Sequence, residues 1–426
     1  MTSEVLILNK HAVVLAADSA VTTGPARDGQ HPRYSKTATK LFELSDNGKV
    51  AVTIFGGAQI DLVPWELAIK TFRANSRSAS FDTFDQYLEH LLAYLSKNRA
   101  LFPEKVLGEL TDRRFRNAFE YVVKLSSERD PSIFDIKVSL PLRQAAWEVV
   151  ASTLGQEFAA KGVHPSLTAA AQAAMMSDIE QRVAGIQAAL PNAPELAAID
   201  PQRLAELAIA ALYAVPTKFL ASTGVVVAGY GEQDIFPGYK SVAVYGHVGP
   251  DLLVEVGSEF RVTHTDTSMI QALAQTSMID VFTDGFGSSL WEIVRRASRK
   301  SLESFLTEII AAGGAAPPAG AAPIIDAAHD QFMRTWTSEN FKQNWSPLRE
   351  VLATLSVQEM AHLAETLLTL ESLKERVTSS SESVGGPIDV AAITKAEGLV
   401  WLKRKHFFDG DINMRYQIRL RDTLRS

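Results

Sequence analysis

The hydrophobic period of this chain switches repeatedly between two and 3.6, and that alternation limits the folds open to it. Val5-Leu6-Ile7-Leu8 and Ala12-Val13-Val14-Leu15-Ala16 are short β-rich runs on either side of Asn9-Lys10-His11, which predicts a hairpin. Lys40-Leu41-Phe42-Glu43-Leu44 and Val50-Ala51-Val52-Thr53-Ile54-Phe55 form a second pair around Asp46-Asn47-Gly48, a strong turn signal. Gly56-Gly57-Ala58 breaks that strand, and helical spacing takes over from Pro64 through Phe72. From about 81 to 220 the pattern is helical, with Phe84, Tyr87, Leu88, Leu91, Leu92 and Leu95 on one stripe. Strand character returns at 224–229, 241–245 and 252–256. A second helical stretch spans about 268 to 377, with an Ala, Gly and Pro-rich flexible linker at 311–323. Strands at 388–393 and 399–404 close the chain. The order predicts an α+β layered fold in a single domain. Its core segments are 2–80, 221–267 and 356–408, residues 81–220 form a helical insertion, and 268–355 form a helical region.

At 426 residues a sizeable core is easy to build, and 46% apolar with 21% charged residues is ordinary globular composition. The net charge of −7 argues against nucleic acid or an anionic membrane as partner. The absence of cysteine excludes disulfides, thiolate metal sites and a Cys nucleophile together. His11, His31, His247, His264 and His406 show no metal-ligand spacing, so neither metal nor cofactor is expected. Gly229-Tyr230-Gly231 lacks the third glycine and following helix of a phosphate-binding fingerprint. The chain has no apolar run of ~18 residues and no basic leader, and the expectation is a soluble cytoplasmic protein.

Thr2 follows the initiator. A small residue there lets Met1 be trimmed, leaving a threonine whose α-amine is free beside its own hydroxyl, so that one residue carries nucleophile and base. Such a residue needs a buried cation to organise the amine, a carboxylate to hold the cation, and backbone N–H donors for the oxyanion. Asp18 ends the second strand of the first hairpin and Lys40 begins the third strand, so an Asp18–Lys40 pair beneath Thr2 is geometrically reasonable. Gly56-Gly57 ends the fourth strand near a helix start, where N–H groups point at anions. Each residue also has a plainer reading: Asp18 as a turn cap, Lys40 as a solvated strand edge, and the glycines as a tight turn. The basic run Lys403-Arg404-Lys405-His406 reads as a solvated edge.

Thr2, then Ala16-Ala17-Asp18-Ser19, Lys40-Leu41-Phe42-Glu43-Leu44 and Phe55-Gly56-Gly57-Ala58 resemble the catalytic β-subunits of the proteasome and their bacterial HslV and Anbu relatives. Val227-Ala228-Gly229-Tyr230 with Pro237-Gly238 resembles a later strand and hairpin of that family. The stretch 357–377 leading into Val384-Gly385-Gly386-Pro387 is similar to its penultimate helix and glycine turn. The resemblance covers 2–72, 222–262 and 356–406. It implies a four-layer αββα N-terminal nucleophile (Ntn) hydrolase sandwich carrying two large helical insertions. It further implies Thr2 as nucleophile and base, Asp18 and Lys40 tuning the amine, and the Gly56 N–H in the oxyanion hole. Val21, Ile54 and Ala58 match the specificity pocket and imply an uncharged side chain beside the scissile bond. The family's glycine-flanked serine is missing, and Ser277 in Gln275-Thr276-Ser277 is its nearest counterpart. Ser381 and Val384 stand where the family has Asp and Ser, with Glu382 one position from the expected acid.

The resemblance implies a proteasome-like threonine peptidase acting on peptide or protein substrates through an acyl ester. A homo-oligomer is expected, with an ATPase as a possible partner. Two other readings stay open: an Ntn amidase acting on a small amide, and a weakened scaffold protein of the same fold.

Overall fold

The computed structural model describes residues 3–23, 33–46, 48–76, 79–189, 193–313, 321–378, 385–406, 408, 413–415 and 418. Its strands are, in chain order, β1 (Ser3–Asn9), β2 (Ala12–Ala17), β3 (Val21–Thr23), β4 (Arg33–Ser35), β5 (Leu41–Glu43), β6 (Val50–Phe55), β7 (Gln59–Ile60), β8 (Val63–Pro64), β9 (Thr223–Gly229), β10 (Gly238–Val248), β11 (Asp251–Arg261), β12 (Ser268–Ala274), β13 (Asp389–Thr394) and β14 (Gly398–Lys403). Ten of them build two antiparallel five-stranded sheets, β12-β1-β2-β13-β14 and β11-β10-β9-β6-β5. The helices are α1 (Trp65–Asn75), α2 (Phe84–Lys97), α3 (Glu104–Arg129), α4 (Leu140–Lys161), α5 (Ala169–Ser177), α6 (Ile179–Ala189), α7 (Pro201–Ala214), α8 (Ser277–Asp284), α9 (Ser288–Gly313), α10 (Ala321–Asn340), α11 (Ser346–Leu352) and α12 (Val357–Thr378).

Strand alternation sorts the apolar side chains into layers. Leu6 and Leu8 of β1 meet Ala51 of β6 with Val226 and Ala228 of β9, which closes the two sheets on one another. Val5 and Ile7 point the opposite way and pack on Met360, Ala364, Leu367 and Leu368 of α12. On the far side, Val52, Ile54, Val225 and Val227 pack on Trp65, Ile69 and Phe72 of α1 and on Leu88 and Leu91 of α2. The result is a mixed α/β stack in the order helix, sheet, sheet, helix. Because both faces of β1 and β2 are covered, each is buried along its whole length and reads as a continuous apolar run.

Three sequence expectations shift. Residues 268–274, expected within a helical region, form β12, which pairs with β1 residue for residue from Ser3↔Ala274 to Asn9↔Ser268. Met269, Gln271, Ala272, Leu273 and Ala274 are all good helix formers, and pairing with a buried neighbouring strand overrides that preference. The expected core segment 221–267 therefore extends through 274. Second, α2 lies inside the first expected insertion yet belongs to the layered core, with Tyr87, Leu88, Leu91 and Leu95 against the sheet. The helices beyond it have apolar clusters of their own, one shared with Val248 of β10 and Leu253 of β11. Third, helix covers both ends of the expected linker at 311–323, since α9 runs to Gly313 and α10 starts at Ala321. Residues 314–320 lie outside the described residues.

Candidate active site

β1 is an interior strand, and Thr2, the expected nucleophile, is covalently joined to its first residue. Thr2 itself lies outside the described residues, as do Ser381, Glu382 and Val384. The surroundings of Ser3 are described. The Ser3 N–H donates to Asp18 Oδ1 (3.2 Å), and the Asp18 N–H donates back to the Ser3 carbonyl (3.1 Å). The Ser3 hydroxyl donates to the carbonyl of Gln275 (3.1 Å), just past β12. The second Asp18 oxygen accepts from the Gly385 N–H (2.8 Å). Asp18 is thereby fixed by two backbone donors from opposite ends of the sequence.

Gly385 belongs to the glycine turn expected before the last strands. Gly386 has φ +85, and a Cβ there would lie 3.0 Å from Lys36 Cβ and 3.1 Å from its carbonyl oxygen, so a side chain would be both crowded and held in a strained backbone conformation. The turn is held on its other side by Ser19, whose N–H donates to the Gly385 carbonyl (3.3 Å) and whose hydroxyl donates to that of Pro387 (2.5 Å).

Lys40 donates from Nζ to Asp18 Oδ1, as the sequence suggested. The same ammonium lies 3.7 Å from Glu4 Oε1. Asp18 is 1% exposed, Lys40 3% and Glu4 0%, so three charges share a site closed to water. Glu4 was missed at the sequence level. Its signal was a single carboxylate in Thr2-Ser3-Glu4-Val5-Leu6-Ile7-Leu8, in step with Leu6 and Leu8 and thus on the side facing the second sheet. Burying an ion costs several kcal/mol, roughly, unless it is paired, and here each carboxylate has the ammonium as partner.

Val21, Ile54 and Ala58 line a cavity of 140 Å³ together with Lys40, Gly56 and Glu66. The residues expected for substrate contact and for the oxyanion therefore sit around one depression, with Lys40 in its lining. Gly56 has φ +87, the left-handed region, where β6 ends and the chain turns toward β7. Glu66, in the first turn of α1, also lines the cavity, and its carboxylate accepts from Lys70 Nζ (2.5 Å) on the exposed helix face.

Ser277, the nearest counterpart of the family's auxiliary serine, is engaged elsewhere. Its hydroxyl donates to Glu371 Oε1 (2.8 Å) and accepts from Lys374 Nζ (2.7 Å), both on α12. The Gln275 carbonyl, two residues earlier, is the part of that segment that reaches Ser3. The basic run at 403–406 is also more than a solvated edge. Lys405 Nζ pairs with buried Asp389 Oδ2 (2.5 Å), and the Arg404 guanidinium lies 4.3 Å from the Trp401 ring centroid. Among the described residues no group of three or more His, Asp or Glu is placed to hold a metal ion. No helix among them is long and apolar enough to cross a membrane.

A second charged cluster fixes the β7–β8 hairpin that follows Gly56-Gly57. Asp61 (φ 48°) and Leu62 (φ 70°) form the two-residue loop between β7 and β8, both in the left-handed region where Asn-Gly would be the comfortable pair. Asp61 Oδ2 accepts from the His247 N–H (2.9 Å) and bonds His247 Nδ1 (2.6 Å), while Asp61 Oδ1 accepts from Arg114 Nη2 (2.5 Å). Arg114, on α3, also donates to the carbonyls of His247 and Tyr245. Burial pushes the Asp61 carboxyl up, but the His247 and Arg114 contacts outweigh it and hold the carboxyl below its ordinary value. The first insertion thus braces the strained turn three residues beyond Ala58.

No protein-family model matches the chain, and no curated protein matches it. Among solved structures, the chain is similar to the Anbu (Gly-1) mutant from Hyphomicrobium sp. strain MC1, at 8% identity and a TM-score of 0.28, over 100% of this chain and 97% of that one.

Proposed function

We propose that the chain is a hydrolase of the N-terminal threonine type, acting as a proteasome-like peptidase. The observation that carries this reading is the buried Asp18–Lys40 pair, hydrogen-bonded to the N–H of the residue after Thr2 and opening on the cavity walled by Gly56. The layered core around an interior first strand suits an Ntn-hydrolase sandwich. In the proposed reaction the Thr2 hydroxyl oxygen attacks the substrate carbonyl carbon while its proton passes to the Thr2 α-amine. The Gly56 N–H faces the resulting oxyanion. Collapse breaks the C–N bond, the leaving amine takes the proton from the α-amine, and an acyl ester on Thr2 remains. Water, deprotonated by the same amine, then hydrolyses the ester and regenerates the hydroxyl.

The small cavity, 140 Å³, favours a second reading in which the same chemistry acts on a small amide. The joint presence of Thr2, Asp18 and Lys40 weighs against a merely scaffolding protein. A homo-oligomer, with an ATPase as a further partner, belongs to the peptidase reading, and the insertions would then limit access. The test is intact mass of the purified protein with a β-lactone or epoxyketone probe. Loss of Met1 and one covalent adduct are expected, with the adduct absent in Thr2→Ala. Labelling or wild-type amide hydrolysis by Thr2→Ala would overturn the assignment.

A further inference from the structure

A second and larger cavity, of 280 Å³, opens where the first insertion meets the sheet, between the β7–β8 turn, α3 and β10. It shares no lining residue with the Gly56 cavity. From α3 come Leu110, Arg113, Arg114 and Asn117, at helical spacing, so one face of that helix forms a wall. Arg114 is committed to Asp61 and to the carbonyls of His247 and Tyr245. Asp61 is the one carboxylate in the lining, and both its oxygens are taken, Oδ1 by Arg114 and Oδ2 by His247.

Arg113 is different. It is exposed, and among the described residues its guanidinium has no hydrogen bond, ion pair or ring contact. Asn117, one turn further along α3, and Gln59, from β7, have side-chain amides that are equally unengaged among the described residues. The charges of Asp61 and Arg114 cancel, so Arg113 leaves the lining with one uncompensated positive charge beside idle amide donors. The turn across the cavity is also strained. Leu62 holds φ 70° while 58% exposed, so burial does not offset its conformation. Bulky residues in that region cluster at ligand clamps.

We propose that this cavity binds a small carboxylate with an aliphatic side chain, of the size of an N-acyl amino acid. The Arg113 guanidinium offers two parallel N–H donors that match a carboxylate, and the Asn117 and Gln59 amides add donors for the same oxygens. Leu62, Leu110 and Val244 receive the aliphatic part. One free positive charge suits a monoanion better than a phosphate dianion. The volume lies just below the ~300–1,000 Å³ of drug-sized sites, which sets the ligand's size. The proposal does not rest on the hydrolase reading.

The experiment is calorimetric titration of the full chain with N-acetylleucine, its isosteric amide N-acetylleucinamide, and inorganic phosphate. The acid should bind at one site per chain, and the amide and phosphate at least about tenfold more weakly, the worth of a charge-assisted hydrogen bond. Arg113→Gln should weaken the acid by at least as much, and Arg113→Lys, which keeps the charge and loses the fork, by less. Both should melt with wild type, since Arg113 supports no other residue. Asn117→Ala should weaken binding several-fold and is the independent check should Arg113→Gln melt early. Thr2→Ala should bind as wild type does. Amide binding equal to that of the acid, or unchanged affinity in Arg113→Gln, overturns the proposal. Phosphate binding as tight as the acid's overturns the choice of a carboxylate. Lost binding in Thr2→Ala overturns it by placing the ligand at the amino-terminal site instead. Absence of saturable heat at millimolar acid overturns it outright.

Discussion

At the scale of single residues, the candidate site turns on how a buried cation is held. Lys40 reaches Asp18 from a compact ammonium in a space closed to water. Lys40→Ala should lower turnover by ~10²–10⁴, the usual worth of organised proton transfer, in a fluorogenic peptide assay. Lys40→Arg should not rescue it, since a planar guanidinium cannot occupy the place of a point-like ammonium. An Arg variant with near-normal turnover would refute the role. Asp18, Lys40 and Gly56 were legible because each falls where a strand ends or begins, and order along the chain suffices to bring such ends together. Glu4 was not legible. A glutamate near the start of a strand reads as solvated until a neighbour covers it, and that neighbour, β12, lies about 270 residues on. Ser277 misled for a related reason: sequence placed it near the site, and Glu371 and Lys374 on α12 turned its hydroxyl to another task.

Among the elements, the braced turn between β7 and β8 gives the clearest expectation. Asp61 has 0% side-chain exposure and faces both Arg114 and His247. Asp61→Asn leaves a buried guanidinium without its carboxylate, and should cost about 3–5 kcal/mol in urea unfolding. The folded carboxyl is held below its ordinary value, so its contribution is present above the unfolded value of ~3.9 and is lost as pH falls through the lower folded one. The Asn variant should therefore show a shallower loss of stability in acid than wild type, by thermal melts from pH 7 to pH 3. Equal acid slopes would show that Asp61 is not linked to folding. Element types were legible wherever periodicity ran long, as in β1, β2, β6 and α2. β12 was hidden because its residues favour a helix and only pairing makes them a strand. The clamp was invisible for another reason: its members, at 61, 114 and 247, share no pattern and meet only in the fold.

For the molecule as a whole, the second helical region bears on the oligomer proposed above. Among its described residues, α9 has no buried side chain along 26 residues, roughly 39 Å of helix. Phe305 (62% exposed), Ile309 (51%) and Ile324 (66%) lie open on α9 and α10. Light scattering should find a homo-oligomer, and Phe305→Glu with Ile309→Glu should weaken it without lowering the melting temperature of the monomer. Short peptides should be cleaved faster than unfolded casein. A stable wild-type monomer that degrades casein as fast as tripeptides would refute both the assembly and the restriction of access.

The Asp18–Gly385 hydrogen bond has a consequence for synthesis. Ser3 is secured by residues 18 and 275, and Asp18 by residue 385. Contacts so distant in sequence close late, because loop-closure entropy must be overcome before they form. As a chain emerges from the ribosome, one oxygen of the Asp18 carboxylate lacks its Gly385 donor until about nine-tenths of the polypeptide has been made. On the hydrolase reading proposed above, the site around Asp18 and Lys40 is complete only once the last strands have docked.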